Sequence, residues 1–322
     1  VRQYELIIGV PIVLSGTINM DDYLKDNEEN AYRVTDLNID FEIRKDNTHQ
    51  PNKGYITLYN LSDGFVEYIN QNAGKSLAVL LRAGYTDTGM NTLFSGEVSF
   101  FEDNWDSDLI TRKTKLTLGD GELALKTATT ARSYRTNTKL NTILDDLISD
   151  LALPKGQIIR YSDNDVLPFS KSFTGTASEN LRNLASSTGR TFSVQDSSVY
   201  FTVRGKALPQ NIFILNESSG LIGIPTPRTM SAKQEYILQQ KKDKAKKEEL
   251  KKKYQNKEDV GLTVSCLLNG AVLPETTVYL DSIYLKGFYK AVEVIHTGSY
   301  EGDGEGSWTT EMKLAEVQGK LE

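Results

Sequence analysis

Apolar and polar residues alternate with period two at both ends of this 322-residue chain, in runs cut at short intervals by turn-forming clusters. Tyr55-Ile56-Thr57-Leu58-Tyr59 alternates as a strand and stops at Asn60-Leu61-Ser62-Asp63-Gly64, a turn-forming cluster. Residues 77–85 follow and, after a polar turn, Leu93-Phe94-Ser95-Gly96. Phe94, Val98 and Phe100 share one strand face, and Thr114, Leu116 and Leu118 share a face of the next, which ends at Gly119-Asp120-Gly121. Side chains two apart point to the same side of a sheet, so these runs predict half-buried strands. Many short strands at this spacing predict an antiparallel barrel or sandwich. Polar residues 21–30 read as a loop.

The period then changes. Leu140, Ile143, Leu144, Leu147, Ile148 and Leu151 follow helical spacing, with Thr136 or Asn137 as the cap and Leu153-Pro154-Lys155-Gly156 as the stop. A second helix opens at Thr176-Ala177-Ser178-Glu179, a capping-box pattern, carries Leu181, Leu184 and Ala185 as its stripe, and has Gly189 for its C-terminal cap. Residues 191–194 and 199–203 then read as a hairpin. After Gly205 strand patterning returns at residues 212–215, 262–268, 277–284, 288–295 and 308–314. The two β regions show no direct sequence repeat. Residues 233–259 interrupt the second with a Lys/Glu/Gln-rich stretch that lacks a continuous apolar face, an exposed helix or a tether.

A formal net charge of -6 disfavours binding nucleic acid through phosphate contacts. The single cysteine, Cys266, sits in an apolar run and reads as a buried structural thiol. Residues 6–14 are apolar but short and broken by Pro11, so they read as a strand and turn, not a signal peptide. Nothing else approaches a membrane span, and synthesis in a reducing cytoplasm is expected.

A search for reaction chemistry finds little. His49 and His296 are the two histidines, and with one cysteine a His/Cys zinc site cannot be assembled. His-Glu-x-x-His, a Walker loop and Gly-x-Ser-x-Gly are all missing from the sequence. His296 continues the alternation of Val292 and Val294 and reads as packed or surface-lying, since no activated nucleophile accompanies it. Gly302-Asp303-Gly304-Glu305-Gly306-Ser307 joins two strands, whereas phosphate cradles lead into a helix, so it reads as a hairpin tip. Asp163-Asn164-Asp165 lacks the closing Glu of a calcium loop and reads as a turn. The pairs Glu102/Asp103 and Asp145/Asp146 are the carboxylates a hydrolase would need to set across a cleft. Arg132-Ser133-Tyr134-Arg135 is a compact basic-aromatic element read as an interface or solvated loop. No catalytic, cofactor-binding or metal-ligating residue is assigned, and no cofactor is expected.

The ordered set from Gly54 to Gly96 resembles the baseplate-hub proteins of phage tails, which are similar in turn to the base of type VI secretion spikes. The set is a strand, an Asn-Leu-Ser turn, a second strand ending Ala83-Gly84-Tyr85, a polar hairpin and Leu93-Phe94-Ser95-Gly96. The resemblance continues through the leucine-rich helix, Phe173-Thr174-Gly175 and the helix entering Phe192. It extends to residues 219–225, Leu262-Thr263-Val264, Val278-Tyr279-Leu280-Asp281-Ser282, Gly287-Phe288-Tyr289, His296-Thr297-Gly298 and Trp308-Thr309-Thr310-Glu311. Two departures stand out: Pro274-Glu275-Thr276 replaces an expected Pro-Gly turn, and the lysine-rich segment looks like an insertion.

The resemblance implies a mainly β chain in which two antiparallel β-barrel domains flank a small α+β domain. The boundaries are 1–125 for the first barrel, 126–204 for the α+β part and 205–322 for the second barrel, with the insertion at about 229–259. It further implies a structural, non-enzymatic homotrimer in the virion baseplate. Two similar barrels in each of three subunits would give a pseudo-sixfold ring that joins the tail tube or distal tail protein to a central spike or tip. The tape-measure protein and DNA would pass through, and residues 229–259 would touch other baseplate proteins. A spike base would continue into a β-helical needle, whereas this chain ends at Lys320-Leu321-Glu322, which favours a hub. A tail-associated cell-wall hydrolase and a carbohydrate-binding module are the alternatives.

Overall fold

The computed structural model describes residues 1–9, 31–72, 77–107, 110–206, 208–227, 261–301 and 306–317. The expected loop at 21–30, the segment 233–259, the second half of the 6–14 run and most of the glycine-rich tip lie outside them.

The first part of the chain forms β1 (Arg2–Gly9), β2 (Ala31–Val34), β3 (Ile39–Asp46), β4 (Lys53–Tyr59), α1 (Asp63–Gln71), β5 (Ala78–Tyr85), β6 (Gly89–Trp105) and β7 (Arg112–Gly119). The middle forms α2 (Glu122–Thr127), β8 (Thr129–Tyr134), α3 (Leu140–Leu151), β9 (Lys155–Ile158), β10 (Lys171–Thr176), α4 (Ala177–Ser187), β11 (Arg190–Gln195) and β12 (Ser198–Val203). The last part forms β13 (Leu208–Leu215), β14 (Leu221–Pro227), β15 (Gly261–Leu267), β16 (Thr276–Asp281), β17 (Lys286–Tyr300) and β18 (Trp308–Glu316). The chain is mainly β with a small α+β part, as expected.

Thirteen strands join in one sheet, ordered β14-β15-β18-β17-β3-β4-β7-β6-β5-β1-β2, with β16 on β17 and β13 on β16. Among the described residues no strand pairing closes a barrel. The sheet is instead two arcs sharing a seam. One arc runs β3-β4-β7-β6-β5-β1-β2 and the other β14-β15-β18-β17-β16-β13, and in each the two end strands are consecutive in the chain. The seam is antiparallel β3 on β17, from Ile39↔Tyr300 to Asp46↔Glu293.

The two arcs repeat one another in register. On β7, strand β6 pairs Glu97↔Gly119 and Val98↔Leu118, skips Ser99, then runs from Phe100↔Thr117 to Trp105↔Arg112. On β18, strand β17 pairs Lys290↔Ala315 and Ala291↔Leu314, skips Val292, then runs from Glu293↔Lys313 to Gly298↔Trp308. The bulge falls at the same step in both ladders. The orders β5-β6-β7-β4-β3 and β16-β17-β18-β15-β14 also coincide. The likeness stops at the next strand, because β1 is antiparallel to β5 whereas β13 is parallel to β16.

Three separate apolar clusters fill the molecule. Ile43, Ile56, Phe94, Leu116 and Leu118 lie in the first, together with Leu268 and Trp308 from the last part of the chain. Helices α3 and α4 pack Ile143, Leu147, Leu181 and Leu184 against Phe192 and Phe201 in the second. Leu215, Val264, Cys266, Val278, Val294 and Leu314 form the third, which draws on β13 and β15 through β18. Burying each such side chain contributes ~1.5–3 kcal/mol, so the arcs hold by apolar packing as well as by their ladders.

Four local expectations need correction. The bulge at Ser99 shifts the alternation, so Phe100 is 59% exposed and Phe101 packs against the core in its place. The cluster at 60–64 is more than a turn. After Asn60, at φ 55, the chain enters α1, whose Phe65, Val66 and Ile69 are buried at helical spacing. Helix α3 starts two or three residues later than read, with Lys139 as its N-cap and no side-chain cap, while Thr136 Oγ1 bonds Pro168 O. At α4 half of the capping box forms: Thr176 Oγ1 accepts from Glu179 N at 3.4 Å, but the Glu179 carboxylate turns to Arg182.

Candidate functional site

Polar chemistry in this fold concentrates at its junctions. Strands β11 and β12 form a two-residue hairpin whose turn residues, Asp196 and Ser197, both have positive φ, at 49 and 60. That turn geometry matches the twist of the flanking strands, and it aims Asp196 into the first arc. Lys45, from β3, donates Nζ to both Asp196 carboxylate oxygens at 2.7 Å with its own side chain fully buried. Asp120, just after β7, accepts from Asn52 Nδ2 at 3.0 Å, from Asp196 N at 2.8 Å and from Ser197 N at 2.6 Å. Asn52 also donates to Val194 O and Gln195 Oε1, both at 2.8 Å, and Gln195 Nε2 donates to Asp46 O at 2.6 Å. Burial, and after it the neighbouring Asp196 carboxylate, push Asp120 up to about 7. These side chains lock the hairpin of the middle part to the first arc, and their buried polar groups are paired, as burial requires.

A second junction ties the arcs. Phe41 on β3 fills space left by Gly298 on β17, where a Cβ would lie 2.1 Å from the Phe41 ring, and its ring meets Trp308 edge-on at 5.3 Å. On the other face Arg44 Nε bonds Glu293 Oε1 at 3.0 Å, and Glu293 also holds Lys313 at 2.6 Å. Nearby, Glu275 accepts from Asn47 Nδ2 at 2.6 Å and from buried Lys290 at 3.3 Å. Glu275 has φ 74, a conformation that glycine adopts without strain. The glutamate stands where the resemblance led us to expect glycine, and its carboxylate is what holds Lys290.

The residues weighed for chemistry are dispersed. His296 is fully buried, with Nδ1 2.9 Å from Thr310 Oγ1, and burial, followed by nearby Lys45, pushes it down to about 3. His49 lies in a cleft of about 230 Å³ with Pro51, Leu125, Lys126, Ser178 and Arg182. Its Nε2 is 3.3 Å from Arg182 Nη1; burial and then that guanidinium lower its pKa. Ser178 donates its hydroxyl to Leu125 O at 2.7 Å, so no Ser–His pair is set up there.

Three of the four carboxylates weighed have structural partners, and Glu102 is exposed on β6. Asp103 pairs with Arg112 and Thr114, Asp145 with Lys155 and Arg160, and Asp146 accepts from Tyr134. Arg132 grips Asp150 through two nitrogens, which ties β8 to α3. Asp163-Asn164-Asp165 is a turn in which Asp165 accepts from Ser162 N. Cys266 is buried, and its thiol is pushed up to about 12. Among the described residues no group of three or more His, Cys, Asp or Glu could hold a metal ion, and no helix is long and apolar enough to cross a membrane.

The surface carries the remaining signal. Phe100 and Trp105 on β6, Ile212 and Ile214 on β13, and Ile222 and Ile224 on β14 are exposed. Isolated exposed apolar residues are ordinary, but pairs of them along unpaired strand edges mark contact surfaces. Sequence reading missed this because alternation does not say which face stays uncovered.

No protein-family model matches the sequence, and no curated protein matches it. Solved structures do. A 43 kDa tail protein of prophage MuSo2 from Shewanella oneidensis superposes with a TM-score of 0.60 at 9% identity over 97% of each chain. A tail protein from Neisseria meningitidis gives 0.58 at 12% identity, over 97% of this chain and 96% of that one. An Escherichia coli component of the type VI secretion system, described as structurally similar to two bacteriophage T4 tail proteins, gives 0.58 at 12% identity. That match covers 89% of this chain and 75% of the other. The chain therefore has, along nearly its whole length, a fold found in phage tail proteins and in a type VI secretion component.

Proposed function

We propose that this protein is a structural baseplate-hub subunit of a phage tail, with no catalytic role. The register repeat between the two arcs carries the reading. A subunit holding two equivalent arcs can match a sixfold tube with three copies, and closed cyclic symmetry satisfies a repeated head-to-tail contact. In this reading the units 1–125, 126–204 and 205–322 act as barrel, small α+β domain and barrel. The ring joins the tail tube or distal tail protein to a central spike or tip, and the tape-measure protein and DNA pass through as cargo. Residues 229–259 reach other baseplate proteins, and the subunit, made in the host cytoplasm, ends in the virion tail. The shared fold and the dispersal of the reactive side chains into structural pairs support it.

The test is to delete this chain from a phage that encodes it and image the particles. Tails lacking the tip structure, restored by complementation, are expected. Complete tips without the chain, or release of soluble muropeptides by the purified protein that a single carboxylate substitution abolishes, would overturn it.

A further inference from the structure

The repeated register leaves one seam filled and its counterpart open. On β17, strand β16 covers one side only from Lys286 to Lys290; the bulge follows at Val292, and β3 takes over that side from Glu293 to Tyr300. On β6, strand β5 covers the corresponding side from Gly89 to Glu97, and the bulge follows at Ser99. From Phe100 to Trp105 no strand pairs with that side of β6 among the described residues. The counterpart of β3 in the second arc is β14, which pairs with β15 on one side and with no described strand on the other. Each free edge carries exposed apolar side chains: Phe100 is 59% and Trp105 54% exposed, on opposite faces of β6 with exposed Glu102 and Asn104 between them, and Ile222 is 42% and Ile224 64% exposed.

We propose that β14 of one copy docks antiparallel beside residues 100–105 of β6 in the next copy, repeating between subunits the seam that β3 and β17 make within one. This rests on the ring reading and names its subunit contact. The register transfers residue by residue. Within the chain Glu42 faces Thr297. The ladders put Thr226 in the place of Glu42 and Asn104 in the place of Thr297, so Thr226 faces Asn104 of the next copy. Trp105 takes the place of Gly298. Strand β14 holds two more residues than β3 between Ile222 and Thr226, and this bulge carries Ile224 toward Trp105. Pro225 within the bulge has no N–H to donate, so the intermolecular ladder is short and side-chain burial carries more of the contact. A contact between two different edges leaves one edge of each kind free at the ends of any open chain of copies, and it is satisfied throughout once a ring closes.

The experiment is disulfide trapping in the full chain with Asn104→Cys and Thr226→Cys together; both positions are exposed, and native Cys266 is buried. Under mild oxidation at high protein concentration the double variant is expected to give covalent dimers and trimers. Each single variant should stop at dimers. Trp105→Glu and Ile224→Glu, each alone, should abolish assembly. Mixed together they should recover dimers, since one intact edge of each kind remains. Circular dichroism confirms that every variant is folded. A folded double variant with no ladder beyond dimers overturns the proposal. If the wild-type chain nonetheless sediments as a trimer, the seam lies elsewhere and the ring reading stands; if it stays monomeric, the ring reading falls as well.

Discussion

Thr114 and Thr310 hold the same place in two ladders of one sheet: each is fully buried and is hydrogen-bonded to the residue directly opposite it. Thr114 donates to Asp103 Oδ1 at 2.8 Å, and Thr310 Oγ1 lies 2.9 Å from His296 Nδ1. Equivalent backbone positions thus keep equivalent hydroxyls while the partner changes from a carboxylate to an imidazole.

The partners predict unequal costs. Thr310 also accepts from Asn269 N at 2.9 Å, so Thr310→Val strips two groups at once, whereas Asp103 keeps Arg112 when Thr114 is lost. Thr310→Val is expected to cost ~2–3 kcal/mol and Thr114→Val ~1 kcal/mol. Urea denaturation of the two variants checks the order.

The junction lock predicts a non-additive cycle. Asp196→Ala leaves the buried Lys45 ammonium without its carboxylate, an expected loss of ~3–5 kcal/mol. Lys45→Met combined with Asp196→Ala should be less destabilised than Asp196→Ala alone. Equal or greater loss in the double variant would show that the pair does not act as a unit.

Replacing Glu275 by glycine separates backbone strain from charge. The substitution relieves the positive φ by ~1 kcal/mol but leaves buried Lys290 without a carboxylate. A net destabilisation is expected, and Glu275→Gly with Lys290→Met should regain most of it. Thermal melts of the three variants decide.

Two buried groups titrate with opposite signs. His296 is held neutral, its folded pKa near 3 against 6.5 unfolded, so its contribution is present above pH 6.5 and is lost as pH falls toward 3. Asp120 is raised to about 7, so the stability it lends is full below its unfolded value of 3.8 and is lost as pH rises toward 7. Relative to wild type, His296→Gln should therefore gain stability as pH falls from 6.5 to 3, at up to ~1.4 kcal/mol per pH unit. Asp120→Asn should gain as pH rises from 4 to 7. Denaturation at stepped pH checks both slopes.

Local patterning was legible where one element decides the outcome. The stripe of α3, the face of β7 and the hairpin of β11 and β12 all follow from spacing alone. Long-range pairing was not legible. The seam between Phe41 and Gly298 joins residues far apart in sequence, and the arc repeat keeps register and alternation while sharing few residues beyond Thr114/Thr310 and Leu118/Leu314. A single extra residue, Ser99, exchanged Phe100 for Phe101, and no propensity marks such a bulge in advance. The lock around Asp120 and Asp196 escaped because Gly119-Asp120-Gly121 reads equally well as a plain turn, and only the fold brings Lys45 and Asn52 to it.

The most direct test of the assembly account is a reconstruction of the tail tip from virions carrying this chain, calculated without imposed symmetry. The account predicts three copies in a closed ring, the two arcs of each alternating around it so that six similar β units surround one channel. Six copies, a single copy, or a chain lying outside the tail axis would contradict it.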